Sequence, residues 1–129
     1  MCRGFTTGWA GRVLGFAGMD ARIRAHAERT VQAALDEGIR VNVISVRRQY
    51  ADQMKLWQDY LAGRSRWPAN PPGDSAHEYG VAFDATVPEG DYPRWFAIRK
   101  AYGWATFAGD PPHAEYPNWR AVRAYLSYS

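Results

Sequence analysis

Cysteine is almost absent: Cys2 stands alone in 129 residues. A single cysteine permits no intramolecular disulfide and no cysteine-built zinc finger. It also fits synthesis in a reducing cytoplasm. Long apolar runs are missing. No stretch approaches the roughly 20 apolar residues that span a bilayer, so no stable membrane insertion is expected. The start, MCRGFTTGWAGRVLGFAGMD, lacks the continuous apolar core and small-residue cleavage site of a signal peptide. The expectation is a protein made in the cytoplasm without a signal peptide, which reaches its place of action by release. No Lys/Arg-rich helix or nucleic-acid recognition motif is present, so no nucleic-acid partner is expected. Histidine is scarce as well, at three residues.

What is present describes one globular domain. Hydrophobic residues make up 47% and aromatics 15% of a chain long enough for a single core. The net charge of +3 favours anionic partners without choosing among them. Residues 1–18 are Gly-rich and read as an N-terminal arm, leaving 19–129 as the domain. MDARIRAHAERTVQAALDEG predicts a helix, capped by Asp20 and stopped by Gly38. Its stripe is Ile23, Ala27, Val31, Ala34 and Leu35, and His26 reads as an ordinary helix histidine. IRVNVISV alternates at period two and predicts a strand. RQYADQMKLWQDYLAG predicts a second helix with Tyr50, Met54, Trp57 and Leu61 on one face. GRSRWPANPPGD is a loop, and GVAFDATV predicts a second strand. Asp91 can cap a third helix, YPRWFAIRKAYG, with a proline in its first turn. WATFAGDPPHAEYP reads as loop, and NWRAVRAYL as a short last helix. The irregular mixture favours α+β over a doubly wound sheet, in one small domain.

The chemistry concentrates in GDSAHEYGVAFD and DPPH. In the second strand Asp84 shares a face with Ala82. A carboxylate on a sheet face near a core is costly unless a cation meets it. Arginine or a metal ion could serve. His77 lies just before the strand and His113 in the later loop. Two imidazoles and one carboxylate suit Zn²⁺ with a fourth position open, the pattern of catalytic rather than structural sites. Asp110 precedes His113 by three residues, and the two intervening prolines restrict the backbone. It is a candidate general base for metal-assisted hydrolysis, or else the acceptor of a Gly-Asp-Pro turn. Arg47 and Arg48 follow the first strand, where either could hold a substrate carboxylate or an oxyanion.

Together these elements resemble the zinc peptidases of the M15 family, which includes D-alanyl-D-alanine carboxypeptidases and L-alanyl-D-glutamate endopeptidases. SAHEYGVAFD matches the pattern S-x-H-x-x-G-x-A-x-D at Ser75, His77, Gly80, Ala82 and Asp84. DPPH resembles the later D/E-x-x-H element at Asp110 and His113. SVRRQYADQ is similar to the S-G-Y-R-[ST]-x-x-x-Q stretch, aligning Arg48 and Gln53. The three occur in family order between about residues 20 and 119. The resemblance implies one zinc ion held by His77, Asp84 and His113, with Asp110 as base and then acid. It implies Arg48 at the substrate or oxyanion, and Ser75, Arg47, Gln53 and Trp104 as further substrate-binding candidates. Tyr79, Trp67 and Phe107 join Trp104 as possible groove-lining aromatics. The implied fold is the Hedgehog/DD-peptidase type, a short antiparallel sheet with flanking helices. The implied partner is the stem peptide of bacterial peptidoglycan, met by a monomer. Aspartate rather than glutamate at 110 is similar to the endolysin-type endopeptidases, so a phage-lysin-like L-alanyl-D-glutamate endopeptidase is expected. A carboxypeptidase is the alternative, and a non-catalytic zinc-containing wall-binding module is the alternative of another class. Two departures stand out: Val46 and Arg47 precede the arginine, and Ala114 replaces an aromatic.

Overall fold

The computed structural model describes residues 16–126. Helix α1 (Ala21–Asp36) starts where Asp20 accepts a bond from the Arg22 amide at 2.9 Å. It buries Ile23, Ala27, Val31 and Ala34, with Leu35 partly covered. Strand β1 (Asn42–Ser45) and helix α2 (Tyr50–Leu61) follow. A 3-10 turn over Ala76–Tyr79 leads into β2 (Ala82–Thr86). Helix α3 (Tyr92–Ala101) comes next, then β3 (Ala105–Phe107) and β4 (Asp110–Glu115). The segment expected as the last helix is a 3-10 helix, Trp119–Tyr125. Asp91 makes no side-chain cap to α3 and instead pairs with Arg94 at 2.8 Å.

The strands form one antiparallel sheet in the order β1-β2-β4-β3. Its two faces differ. Phe83 is fully buried, edge-on to Trp104 at 5.0 Å and to Phe16 at 5.3 Å, with Trp95 at 6.4 Å. This side is the core, covered by α1 and α3. Ile44, Asp84, Thr86, His113 and Glu115 alternate onto the other side and line a cleft.

Three expectations change. The stretch WATFAGDPPHAEYP is a hairpin, not a loop. Its prolines, Pro111 and Pro112, sit where the β3–β4 register slips between Thr106/Ala114 and Phe107/Asp110. There the ladder does not need their missing N–H groups. The proposed apolar face of α2 is not core: Tyr50 and Leu61 are exposed and only Gln53 is fully buried. Helix α2 walls the cleft instead of packing on the sheet. The boundary drawn at residue 18 falls inside packed structure, because Phe16 and Met19 belong to the core. The rest of the proposed arm, 1–15, lies outside the described residues.

Gly80 is needed at its position. Its φ is +71°, and an added Cβ would meet the Gly18 carbonyl oxygen at 2.8 Å and Arg47 Nη1 at 2.9 Å. A left-handed non-glycine residue costs about 1–3 kcal/mol before any clash. Gly80→Ala is therefore expected to lower thermal stability by at least that amount. An unchanged melting temperature in a calorimetric scan would contradict this account of the turn.

Candidate metal centre and cleft

Sheet register assembles the site. Asp84 on β2 lies opposite Ser45 on β1 and His113 on β4, so three positions form one row across the sheet. His77 arrives from the 3-10 turn before β2, which is fixed at several points. Ser75 Oγ accepts from the His77 amide at 3.3 Å. The buried Glu78 carboxylate accepts from the Gly73 amide at 2.7 Å and the Ser75 amide at 3.4 Å. This reciprocal capping makes a short turn a rigid mount.

The two imidazoles are held by their outer nitrogens. His77 Nδ1 is 2.6 Å from the Val46 carbonyl oxygen. A carbonyl only accepts, so Nδ1 carries the proton and Nε2 presents a lone pair. His113 Nε2 donates to Glu115 Oε1 at 2.8 Å, and Glu115 Oε2 accepts from the Trp119 indole at 2.9 Å. The inner nitrogens then converge on Asp84 Oδ1, at 3.2 Å from His77 Nε2 and 2.9 Å from His113 Nδ1. They lie 3.3 Å from each other. Bonds of about 2.0 Å to a tetrahedral ion place ligand atoms roughly 3.3 Å apart. Donor type, spacing and outer hydrogen bonds all fit a zinc ion with an open position.

Charge is concentrated here. Burial resists ionisation of Asp84, yet the adjacent imidazoles of His113 and His77 hold its pKa well below the carboxylate range. Burial likewise opposes charge on His113, but Asp84 and Glu115 outweigh it and raise the pKa to about 9. A cation and the Nδ1 proton compete for one position. Asp110 moves the other way: burial pushes its pKa up, the Asp84 charge adds to this, and His113 opposes it.

Most of the expected site residues share one cavity of about 850 Å³. His77, Asp84, His113, Arg48, Asp110, Ser75 and Gln53 all line it. Arg48 donates to Gln53 Oε1 at 2.9 Å and to Ser45 Oγ at 3.2 Å, and lies 3.5 Å from Asp84 Oδ2. Gln53 in turn donates to the Asn70 carbonyl at 2.8 Å. Trp67 and Phe107 also line the cavity.

Two expected site residues lie elsewhere. Arg47 is turned away from the cleft, donating to the carbonyls of Gly18 at 3.0 Å and Glu78 at 3.3 Å. It braces the Gly80 turn, and of the two adjacent arginines it is Arg48 that lines the cleft. Trp104 is core: it stacks on His26 at 5.4 Å, and its indole donates to Thr30 Oγ1 at 2.8 Å. Tyr79 is buried too, its hydroxyl donating to the Gly73 carbonyl at 3.0 Å. Glu115 was not anticipated. In a strand, residues 113 and 115 share a face, a relation that reading the segment as a loop concealed.

An antiparallel sheet flanked by helices, with this histidine–carboxylate cluster and an arginine in one cleft, is the arrangement that the resemblance to the M15 zinc peptidases implied. The chain belongs to the VanY family, described as D-alanyl-D-alanine carboxypeptidase, whose sequence model matches residues 17–106. Asp110 and His113 lie beyond that match and enter the site through β4. No curated protein matches in sequence.

Solved structures resemble the chain in fold. The LdcB LD-carboxypeptidase, described for its peptidoglycan recognition, superposes with a TM-score of 0.61 at 24% identity, over 84% of this chain and 70% of that one. VanYB in complex with D-Ala-D-Ala gives 0.64 at 17% identity, over 81% and 75%. DacB from Streptococcus pneumoniae D39 gives 0.61 at 20% identity, over 84% and 71%.

Proposed function

We propose that the chain is a zinc-dependent peptidoglycan peptidase that cuts the stem peptide at the L-alanyl–D-glutamate bond. The observation that carries the zinc reading is the convergence of His77 Nε2, Asp84 Oδ1 and His113 Nδ1 within 3.3 Å, each imidazole anchored by its other nitrogen. Zinc bound there would polarise the scissile carbonyl and lower the pKa of water toward ~7. Asp110 takes the proton from the attacking water and delivers it to the leaving amine. Ligands, base and arginine all come from one chain, so a monomer with one ion suffices.

Arg48, fixed by Gln53 and Ser45, reads a substrate carboxylate. Both candidate bonds offer one in the same place. In each, the amide nitrogen sits on a D-configured carbon that also bears a free carboxylate. That carbon belongs to the terminal D-Ala in one substrate, and to D-Glu, linked onward through its side chain, in the other. What differs is the continuation: nothing follows D-Ala, while the stem runs on beyond D-Glu. A cavity of about 850 Å³ with Leu56, Trp67 and Phe107 in its walls supports the longer substrate. Aspartate at 110 supports it too, as the residue similar to the endopeptidases.

The carboxypeptidase reading is favoured by the family description and by VanYB, which was solved with D-Ala-D-Ala. Incubation with purified peptidoglycan separates the two. New amino groups on D-Glu are the expected result, and free D-Ala without them selects the carboxypeptidase. Binding to the wall with no released product would leave only the non-catalytic module.

A further inference from the structure

Arg99 on α3 is fully buried, and no carboxylate among the described residues lies within ion-pair distance of it. Its guanidinium packs against the rings of Trp95 and Phe96, 4.9 and 4.6 Å from their centroids. Nε donates to the Trp95 carbonyl at 3.4 Å and Nη1 to the His113 carbonyl at 3.2 Å, while Nη2 has no partner. Burial lowers its pKa to about 10, so it remains a cation at neutral pH.

A buried cation without a counterion is expensive, and an apolar side chain of similar volume is often as stable or more so. Fold stability alone therefore does not account for Arg99. Among the described residues, its one hydrogen bond outside its own helix goes to the carbonyl of His113, at the step where the β3–β4 register slips. Where the ladder is interrupted, this guanidinium supplies the donor. The groups its charge acts on are Tyr92, Asp110 and Asp84, all of which line the cleft.

We propose that Arg99 is a positioning residue for the metal centre: it pins the backbone of His113 from behind the sheet and keeps Nδ1 aimed at Asp84. The inference rests on the zinc reading above. Outer groups that orient metal ligands are typically worth 10–100-fold in metal affinity.

The test is zinc affinity of the full chain, measured by competition with a chromogenic chelator, alongside melting of the metal-free protein. Arg99→Met is expected to weaken zinc binding on the order of tenfold, with a melting temperature equal to or above wild type. Arg99→Lys keeps a cation against the two rings and one donor for the carbonyl, and is expected to recover most of the affinity. Wild-type affinity in Arg99→Met overturns the proposal. So does unfolding of both variants, which would make Arg99 a structural plug. Failure of the wild type itself to bind zinc overturns the metal reading, and this inference with it.

Discussion

Asp110→Asn is expected to keep its zinc and lose hydrolysis of peptidoglycan by roughly 10²–10⁴-fold, the range that general acid–base groups supply. Asn preserves size and hydrogen bonding but cannot take a proton. The same substitution should not weaken the fold. Burial raises the pKa of Asp110 above its ordinary 3.8, with the Asp84 charge adding to the effect. A carboxyl raised on folding contributes stability that is complete below its unfolded pKa and is lost as pH rises through the folded one. At neutral pH the ionised group is therefore a burden on the metal-free protein. Asp110→Asn should melt no lower than wild type there, with the comparison turning in favour of wild type in acid. Lysis of permeabilised cells at the wild-type rate by this variant would end the assignment of Asp110 as base. A large fall in melting temperature would assign it to the fold instead.

The ligands were legible because their surroundings made them anomalous. A strand that buries Phe83 and Ala85 has no reason to carry a carboxylate at 84 unless a cation meets it, and only three histidines were available to help. The first strand was readable from its period-two alternation and the second from its short apolar run, but which strands pair, and in what register, was not. The supporting groups were not legible, for three physical reasons. Val46 acts through a backbone carbonyl, which any residue could supply. Glu115 acts through its strand, and Pro111 and Pro112 disguised that strand as loop because propriety of proline in a sheet depends on where the ladder slips. Arg99 acts across the sheet from a helix whose sequence reads as an ordinary basic last turn. Helix α2 shows the converse. Its apolar spacing was real, but spacing does not reveal that the space beside it is a cleft, where Gln53 is the residue that must be buried. Arg47 and Arg48 are adjacent in sequence, and only their partners in the fold, the Gly18 and Glu78 carbonyls for one and Gln53, Ser45 and Asp84 for the other, separate them.

Removal of the metal should separate the ligands from every other cleft residue. Asp84→Asn exchanges the anionic ligand for a neutral one of the same size, leaving both imidazoles in place. Zinc content is expected to fall from near one ion per chain to near none, with hydrolysis lost beyond recovery by added zinc. Wild type stripped with EDTA should lose activity and regain it with zinc. Stability supplies an independent readout. A ligand at a hundredfold excess over its Kd adds about 2.7 kcal/mol to the folded state, which in a domain of this size is roughly 10 °C in Tm. EDTA should therefore lower the melting temperature of wild type and of Asp110→Asn by a similar amount, and leave Asp84→Asn unmoved. That pattern distinguishes a residue that holds the ion from one that works beside it. Full zinc content in Asp84→Asn, or full activity of the stripped wild type, would defeat the metal reading. The metal-free state should remain folded, because the carboxylates of Asp84 and Glu115, outweighing the opposing effect of burial, already hold His113 as a cation, with a pKa of about 9. A proton at Nδ1 then offsets part of the charge that zinc would otherwise balance.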